Sequence, residues 1–219
     1  LFYDGRLLLK PSRIALHTDL PEADHWENIR ITGTKQRHVS ETVQAPFYRV
    51  KEFGIDCNEL ELRLNNGFSL LMRAYNDGMA YRFVAGRKGE MTVVEERAEF
   101  NFADDFEAYI PYSTNPKDPW NMAFQNFYTK APLTQYNTEL PAFLPLTVDA
   151  GAVKLTLLES DLEAYPGMFV CGDGKTPALK GVFAAYPQET FKNKWRCQET
   201  VKTRRPYIAR VADKRTFPW

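Results

Sequence analysis

The sequence is poor in the residues that build metal and redox sites. It holds three cysteines and three histidines in 219 residues. Cys57, Cys171 and Cys197 are too few and too scattered for a disulfide framework or a C-x-x-C metal site. They read as buried free thiols, with a single bridge as the alternative. His17, His25 and His38 fall in no H-x-H or H-x-x-x-H frame, so nothing supports a zinc site and they read as partly exposed surface residues. No apolar run approaches the roughly 20 residues that a membrane-spanning helix needs. Net charge is also lacking: Lys plus Arg and Asp plus Glu each number 28. That balance removes the electrostatic case for nucleic acid or an anionic membrane as partner. The chain opens Leu1-Phe2-Tyr3-Asp4 with no initiating Met and no signal peptide, so the start reads as truncated. Long helices have little room among 14 prolines and 12 glycines.

What is present is core and alternation. Hydrophobic residues make up 44% and aromatics 14%, enough for a packed interior and too much for a disordered chain. The length suits one large β domain. Glu59-Leu60-Glu61-Leu62-Arg63-Leu64 alternates charged and apolar residues, as a strand with one face on a core does. Asn65-Asn66-Gly67 turns the chain, and Phe68 to Tyr75 runs back. Asn76-Asp77-Gly78 then joins Arg73 to Phe83 in a second hairpin, with residues that tolerate positive φ. These strands form a meander. Further strands are expected at Met91 to Glu95, Phe143 to Val148, Val153 to Glu159, Gly181 to Ala185 and Tyr207 to Val211. Asp161 to Tyr165 suits a short helix or a turn. The fold class is all-β, with many short strands.

Period two fails between Ala108 and Leu140. Long irregular segments in compact domains are often functional, so Pro111 to Tyr136, with its Tyr, Trp and Phe residues, reads as a pocket-facing or partner-facing loop or as a loop packed on the sheets. Cys171-Gly172-Asp173-Gly174-Lys175-Thr176 imitates a phosphate loop. Phe169 stands where that motif requires its first glycine, and Asp173-Gly174 reads as a hairpin turn. No G-x-S-x-G occurs, and no nucleophile is nominated. Glu95-Glu96 and Asp104-Asp105 are acidic pairs that sequence cannot bring together with others, and in a sandwich most such residues are the solvated half of the alternation. Glu159 ends an apolar strand. A carboxylate there suits a hard cation such as calcium, a helix N-terminal cap, or a surface charge.

Several segments carry a resemblance. Arg73-Ala-Tyr-Asn-Asp-Gly-Met-Ala-Tyr-Arg-Phe83 resembles the N-terminal domain signature of family 97 glycoside hydrolases. Leu158-Glu-Ser-Asp-Leu-Glu-Ala-Tyr-Pro-Gly-Met168 resembles a second marker of that domain. Lys10-Pro-Ser-Arg-Ile-Ala-Leu16 and the closing Arg215-Thr-Phe-Pro-Trp219 are similar to its start and finish, in the same order. The second residue after Pro-Ser-Arg is alanine where the family often has glycine, and Ser160-Asp161 follow Glu159 where the family's common wording is E-A-x-L.

The resemblance implies a large antiparallel β-sandwich of the galactose-mutarotase-like type, the super-sandwich that precedes a catalytic (β/α)₈ barrel absent from this chain. It implies a calcium-dependent enzyme acting on α-glucosides or α-galactosides, with its catalytic carboxylates in the barrel, so that this chain alone is inactive. It implies the barrel and an oligosaccharide as partners, and a periplasmic or secreted location. By position in the E-x-x-L-x-x-Y segment, Glu159 is the residue it assigns to calcium. A stand-alone carbohydrate-binding module and a mutarotase-like epimerase are the competing readings.

Overall fold

A computed structural model describes residues 1–21, 26–121, 125–192, 194, 199–212 and 215–219. His25 and Cys197 lie outside the described residues. Among those residues the secondary structure is strands and three short 3-10 turns, with no α-helix. The chain is all-β, as its alternation predicts.

Three short strands come first: β1 (Phe2–Tyr3), β2 (Arg6–Leu7) and β3 (Ile14–Thr18). Four longer ones follow: β4 (Ile31–Gln44), β5 (Glu52–Leu64), β6 (Phe68–Ala74) and β7 (Met79–Ala85). Next are β8 (Met91–Asn101), β9 (Glu107–Ile110), β10 (Thr129–Pro132), β11 (Leu146–Asp149) and β12 (Lys154–Leu157). The last are β13 (Met168–Gly172), β14 (Ala178–Phe183), β15 (Pro187–Lys192), β16 (Glu199–Arg204) and β17 (Ala209–Val211). They fall into two compact units, Leu1–Asp19 with Thr92–Arg210, and Leu20–Met91 with Val211–Trp219.

The first unit is a sandwich. One sheet runs β10-β9-β11-β12, and the other runs β13-β14-β8-β17 with β3 also on β8. The alternation of β9 and β11 buries Ala108, Ile110, Leu146 and Val148. They pack in one cluster with Val170 and Leu179 from the other sheet and with Phe102, Leu133, Tyr112 and Tyr136. This continuous apolar layer is what holds two sheets face to face.

The second unit holds the expected meander, enlarged by one strand to the order β4-β5-β6-β7. Leu60 faces Met72 and Leu62 faces Leu70 across β5 and β6. In the turn between them Asn66 Oδ1 accepts the Phe68 amide at 3.2 Å, and Gly67 takes φ +84°, which favours glycine. The second turn closes with the Tyr75 amide donating to the Gly78 carbonyl at 2.8 Å. No residue of Asn76-Asp77-Gly78 has positive φ, so the tolerance read from the sequence is not used there. Phe68, Phe83 and Phe217 are fully buried, and Trp26 packs on the first two with ring centroids 5.9 and 5.4 Å apart.

The two signature segments of this unit hold each other. The guanidinium groups of Arg73 and Arg82, at either end of the R-A-Y-N-D-G-M-A-Y-R run, lie 4.6 and 4.7 Å from the Trp219 ring. Arg82 Nε also donates to the Phe217 carbonyl at 2.7 Å. Arg73 Nε donates to buried Glu59 at 2.8 Å, and Arg37 Nε donates to the other Glu59 oxygen at 2.6 Å. The hairpin is scaffold that clamps the Phe217–Trp219 segment.

Several boundaries move. The strand expected over Val153 to Glu159 stops at Leu157, which pairs with Leu146 at the end of the β11–β12 ladder. The strand expected at Phe143 begins at Leu146, and the one expected at Gly181 to Ala185 runs Ala178–Phe183. Asp161 to Tyr165 is a turn and no helix, because Asp161 (φ 65°) and Ala164 (φ 50°) stand in the left-handed region. Asp173-Gly174 lies in the connection between antiparallel β13 and β14, as read from the sequence. Asp173 accepts the Lys175 and Thr176 amides and the Thr176 hydroxyl, which hold its carboxyl below the usual range.

Candidate functional site

Glu159 lies in the ten-residue connection between β12 and β13 of the sandwich unit. Its side chain does not point outward from the sheet edge. It turns back to the start of β13, where both carboxylate oxygens accept the Met168 amide, at 3.0 and 2.9 Å. The carboxylate is half-buried, and burial pushes it up while the Met168 amide opposes the shift. An added Cβ at Gly167 would stand 3.2 Å from Glu159 Oε1, so glycine lets the carboxylate lie against the backbone.

A second carboxylate belongs to the same place. The Tyr165 hydroxyl donates to Glu96 Oε2 at 2.6 Å, and its ring meets Phe183 edge-on at 6.1 Å. Burial pushes the Glu96 carboxyl up to about 7; the Tyr165 hydrogen bond opposes this, and the Glu159 charge adds to it. Among the described residues the donors to the two carboxylates are the Tyr165 hydroxyl and the Met168 amide.

Glu96 faces inward because β8 carries a bulge. Met91 and Val93 are buried at odd positions. The register with β3 then slips between His17 and Thr18, and Ala98 is buried at an even one. One extra residue exchanges the faces of everything after it. Simple alternation therefore could not show that Glu96 shares a face with Ala98. The signal available for Tyr165 was its place in the E-x-x-L-x-x-Y segment.

The fit to a cation can be judged from these residues. Two half-buried carboxylates, both raised by burial and Glu96 raised further by the Glu159 charge, have one hydroxyl and one amide as donors, which leaves oxygen lone pairs free, and oxygen donors suit calcium. Among the described residues no three His, Cys, Asp or Glu side chains converge to hold a metal. The donor set fits a hard cation as a partial shell of one ligand, completed from elsewhere.

The other candidates are not brought to this place. Cys57 is buried and free, and Cys171 is half-buried and free. His38 is exposed beside Asp56 and Asn58, and His17 is half-buried in β3. Pro111 to Tyr136 is not a single loop, since it contains β10 and two 3-10 turns. Tyr112 and Tyr136 are core residues in edge-on contact at 5.0 Å, with Tyr136 donating to the Val170 carbonyl at 2.7 Å. Trp120 packs edge-on against Phe169 at 5.0 Å, whereas Phe127 is 91% exposed. A cavity along residues 95–99 of β8, beside Lys180 and Gly181, encloses 120 Å³, well under the roughly 300 Å³ of an ordinary ligand pocket.

Comparison with known proteins agrees with this architecture. A retaining alpha-galactosidase of Bacteroides thetaiotaomicron is 38% identical over 224 residues, covering 99% of this chain and 34% of that protein. The crystal structure of a beta-arabinopyranosidase superposes with a TM-score of 0.75 at 18% identity, over 99% of this chain and 35% of the other. A glycoside hydrolase family 97 enzyme from Pseudoalteromonas sp. strain K8, in complex with acarbose, gives 0.67 at 16% identity, over 95% and 30%. The last two likenesses show the fold. The chain thus spans about a third of the length of each of these relatives. The family model for the glycosyl-hydrolase 97 N-terminal domain matches residues 1–219 throughout, and the chain belongs to that family.

Proposed function

We propose that this chain is the N-terminal β domain of a longer, calcium-dependent glycoside hydrolase that acts on α-galactosides. The observation that carries the reading is the 38% identity that runs over 99% of the chain to a retaining alpha-galactosidase. The domain buttresses a catalytic barrel supplied by the rest of the protein, and the barrel supplies the reacting carboxylates. Exposed Phe127 and Tyr128 give this domain an aromatic surface to set against the barrel or a sugar ring. A periplasmic or secreted location follows from the family resemblance.

Within this domain Glu159 contributes one carboxylate oxygen to the calcium ion. The Met168 amide steadies the carboxylate, and its half-buried setting favours a cation that offsets the charge. Calcium bound there supplies positive charge that orients and polarises substrate oxygens. One glutamate cannot fill six to eight oxygen positions, so the 219-residue chain alone binds calcium weakly or not at all.

The test is hydrolysis of an α-galactoside and of the matching α-glucoside by the full-length protein and by this chain alone. The full-length protein is expected to prefer the galactoside, and the chain to hydrolyse neither. Turnover by the isolated chain, or a preference for the glucoside, would overturn the assignment.

A further inference from the structure

We propose that Tyr165 and Glu96 are positioning residues for Glu159: their hydrogen bond ties the connection between β12 and β13 to β8, and so sets where the Glu159 carboxylate stands toward a cation. The inference rests on the calcium reading of Glu159 and deepens it.

The connection is fastened unevenly. Residues 160–164 are all exposed, and Tyr165 is the buried residue of the turn. At its end, a single amide is shared between both Glu159 oxygens. Two non-glycine residues hold left-handed backbone, Asp161 and Ala164. Such conformations are costly and persist where the surroundings over-determine them. The neighbour of Ala164 is Tyr165, whose ring leans on Phe183 and whose hydroxyl reaches Glu96 at 2.6 Å. A hydrogen bond of that length between a buried hydroxyl and a carboxyl oxygen restrains the turn strongly. Its removal lets Ala164 relax and moves the segment that carries Glu159. Groups that orient a metal ligand in this way change metal affinity by about 10–100-fold when removed.

Glu96 has two properties, an acceptor oxygen and a negative charge, and variants separate them. Tyr165→Phe keeps the ring and removes the hydroxyl. Glu96→Ala removes acceptor and charge together. Glu96→Gln removes the charge but keeps a carbonyl oxygen for the Tyr165 hydroxyl.

The experiment is calorimetric titration of the chelator-stripped full-length protein with calcium chloride, for the wild type, these three variants and Glu159→Gln. Calcium-free melting temperatures are recorded alongside, so that a variant that has lost its fold is recognised. Tyr165→Phe and Glu96→Ala are expected to bind calcium about tenfold more weakly, and Glu96→Gln to stay within about threefold of the wild type. Wild-type affinity in whichever of Tyr165→Phe and Glu96→Ala folds, while Glu159→Gln is weakened, would overturn the positioning role and leave the calcium reading standing. Equal loss in Glu96→Gln and Glu96→Ala would also overturn it, since charge alone would then be acting. Unchanged affinity in Glu159→Gln would remove the calcium reading, and this inference with it.

Discussion

At the scale of single residues, carboxylates with different partners behave differently. Glu59 is buried, with 5% of its side chain exposed, and it is served by two arginines. Burial opposes its ionisation, but the hydrogen bonds from Arg37 and Arg73 outweigh that and hold it below the usual carboxylate range. A depressed folded pKa contributes stability above the unfolded carboxylate range, and that stability is lost as pH falls through the folded value. Glu59→Gln is therefore expected to cost about 3 kcal/mol near neutral pH, because it leaves Arg73 unpaired beneath Trp219. It should also flatten the acid limb of stability measured by urea unfolding between pH 3 and 7. Arg37→Ala should matter less, because 56% of the Arg37 side chain is exposed and solvent screens its half of the pair. A Glu59→Gln protein as stable as the wild type at neutral pH would remove this ion pair from the account of the second unit.

Glu96 shows the opposite balance, with burial raising it and the Tyr165 hydroxyl as its donor among the described residues. Glu159 is likewise raised by burial, with the Met168 amide opposing the shift. Glu159 could be read from its segment, because E-x-x-L-x-x-Y is local. Glu96 could not, because its inward direction depends on a bulge in β8, and Tyr165 lies 69 residues further along the chain.

At the scale of elements, local signals gave the meander and missed what long-range pairing decides. Glu59–Leu64 alternates visibly, and the Asn65-Asn66-Gly67 turn marks Phe68–Ala74 as its returning partner. β4 is 14 residues long and went unread, because Ile31–Gln44 is exposed almost throughout and shows no apolar period. It is a strand because it pairs with β5 along its length, from Gln44 opposite Glu52 to Ile31 opposite Leu64. The four-residue strands β9 and β10 are too short to establish a period. The segment Asp161 to Tyr165 was legible as a helix or a turn, and it is a turn: aspartate tolerates left-handed backbone at Asp161, whereas nothing in the residue type calls for it at Ala164.

The β4–β5 hairpin also carries a stability consequence. β6 pairs with β5 over Asn58–Arg63, so residues 52–57 have β4 as their ladder partner. Val39 and Cys57 are the last buried pair before the tip, where Phe47 is fully exposed. A two-stranded ribbon is marginal by itself in water. Amides of residues 40–44 and 52–56 are expected to exchange with deuterium well ahead of those in 58–64. Equal protection along the whole of β5 would contradict that reading.

At the scale of the whole molecule, a formal charge of zero and a hydrophobic content of 44% describe a chain with a packed interior and no electrostatic bias toward one class of partner. The first unit has a sandwich core, and Glu159 is held in the β12–β13 connection that joins its two sheets. The family assignment covers residues 1–219, and the relatives extend to about three times that length. On the proposed reading, the contribution of this chain is how Glu159 is held. The most direct measurement is the calcium affinity of the full-length protein with glutamate and with glutamine at position 159. A loss of tenfold or more in Glu159→Gln, with the calcium-free melting temperature preserved, is the expected result. Equal affinity in the two proteins would contradict the central claim that this domain supplies a ligand to the ion.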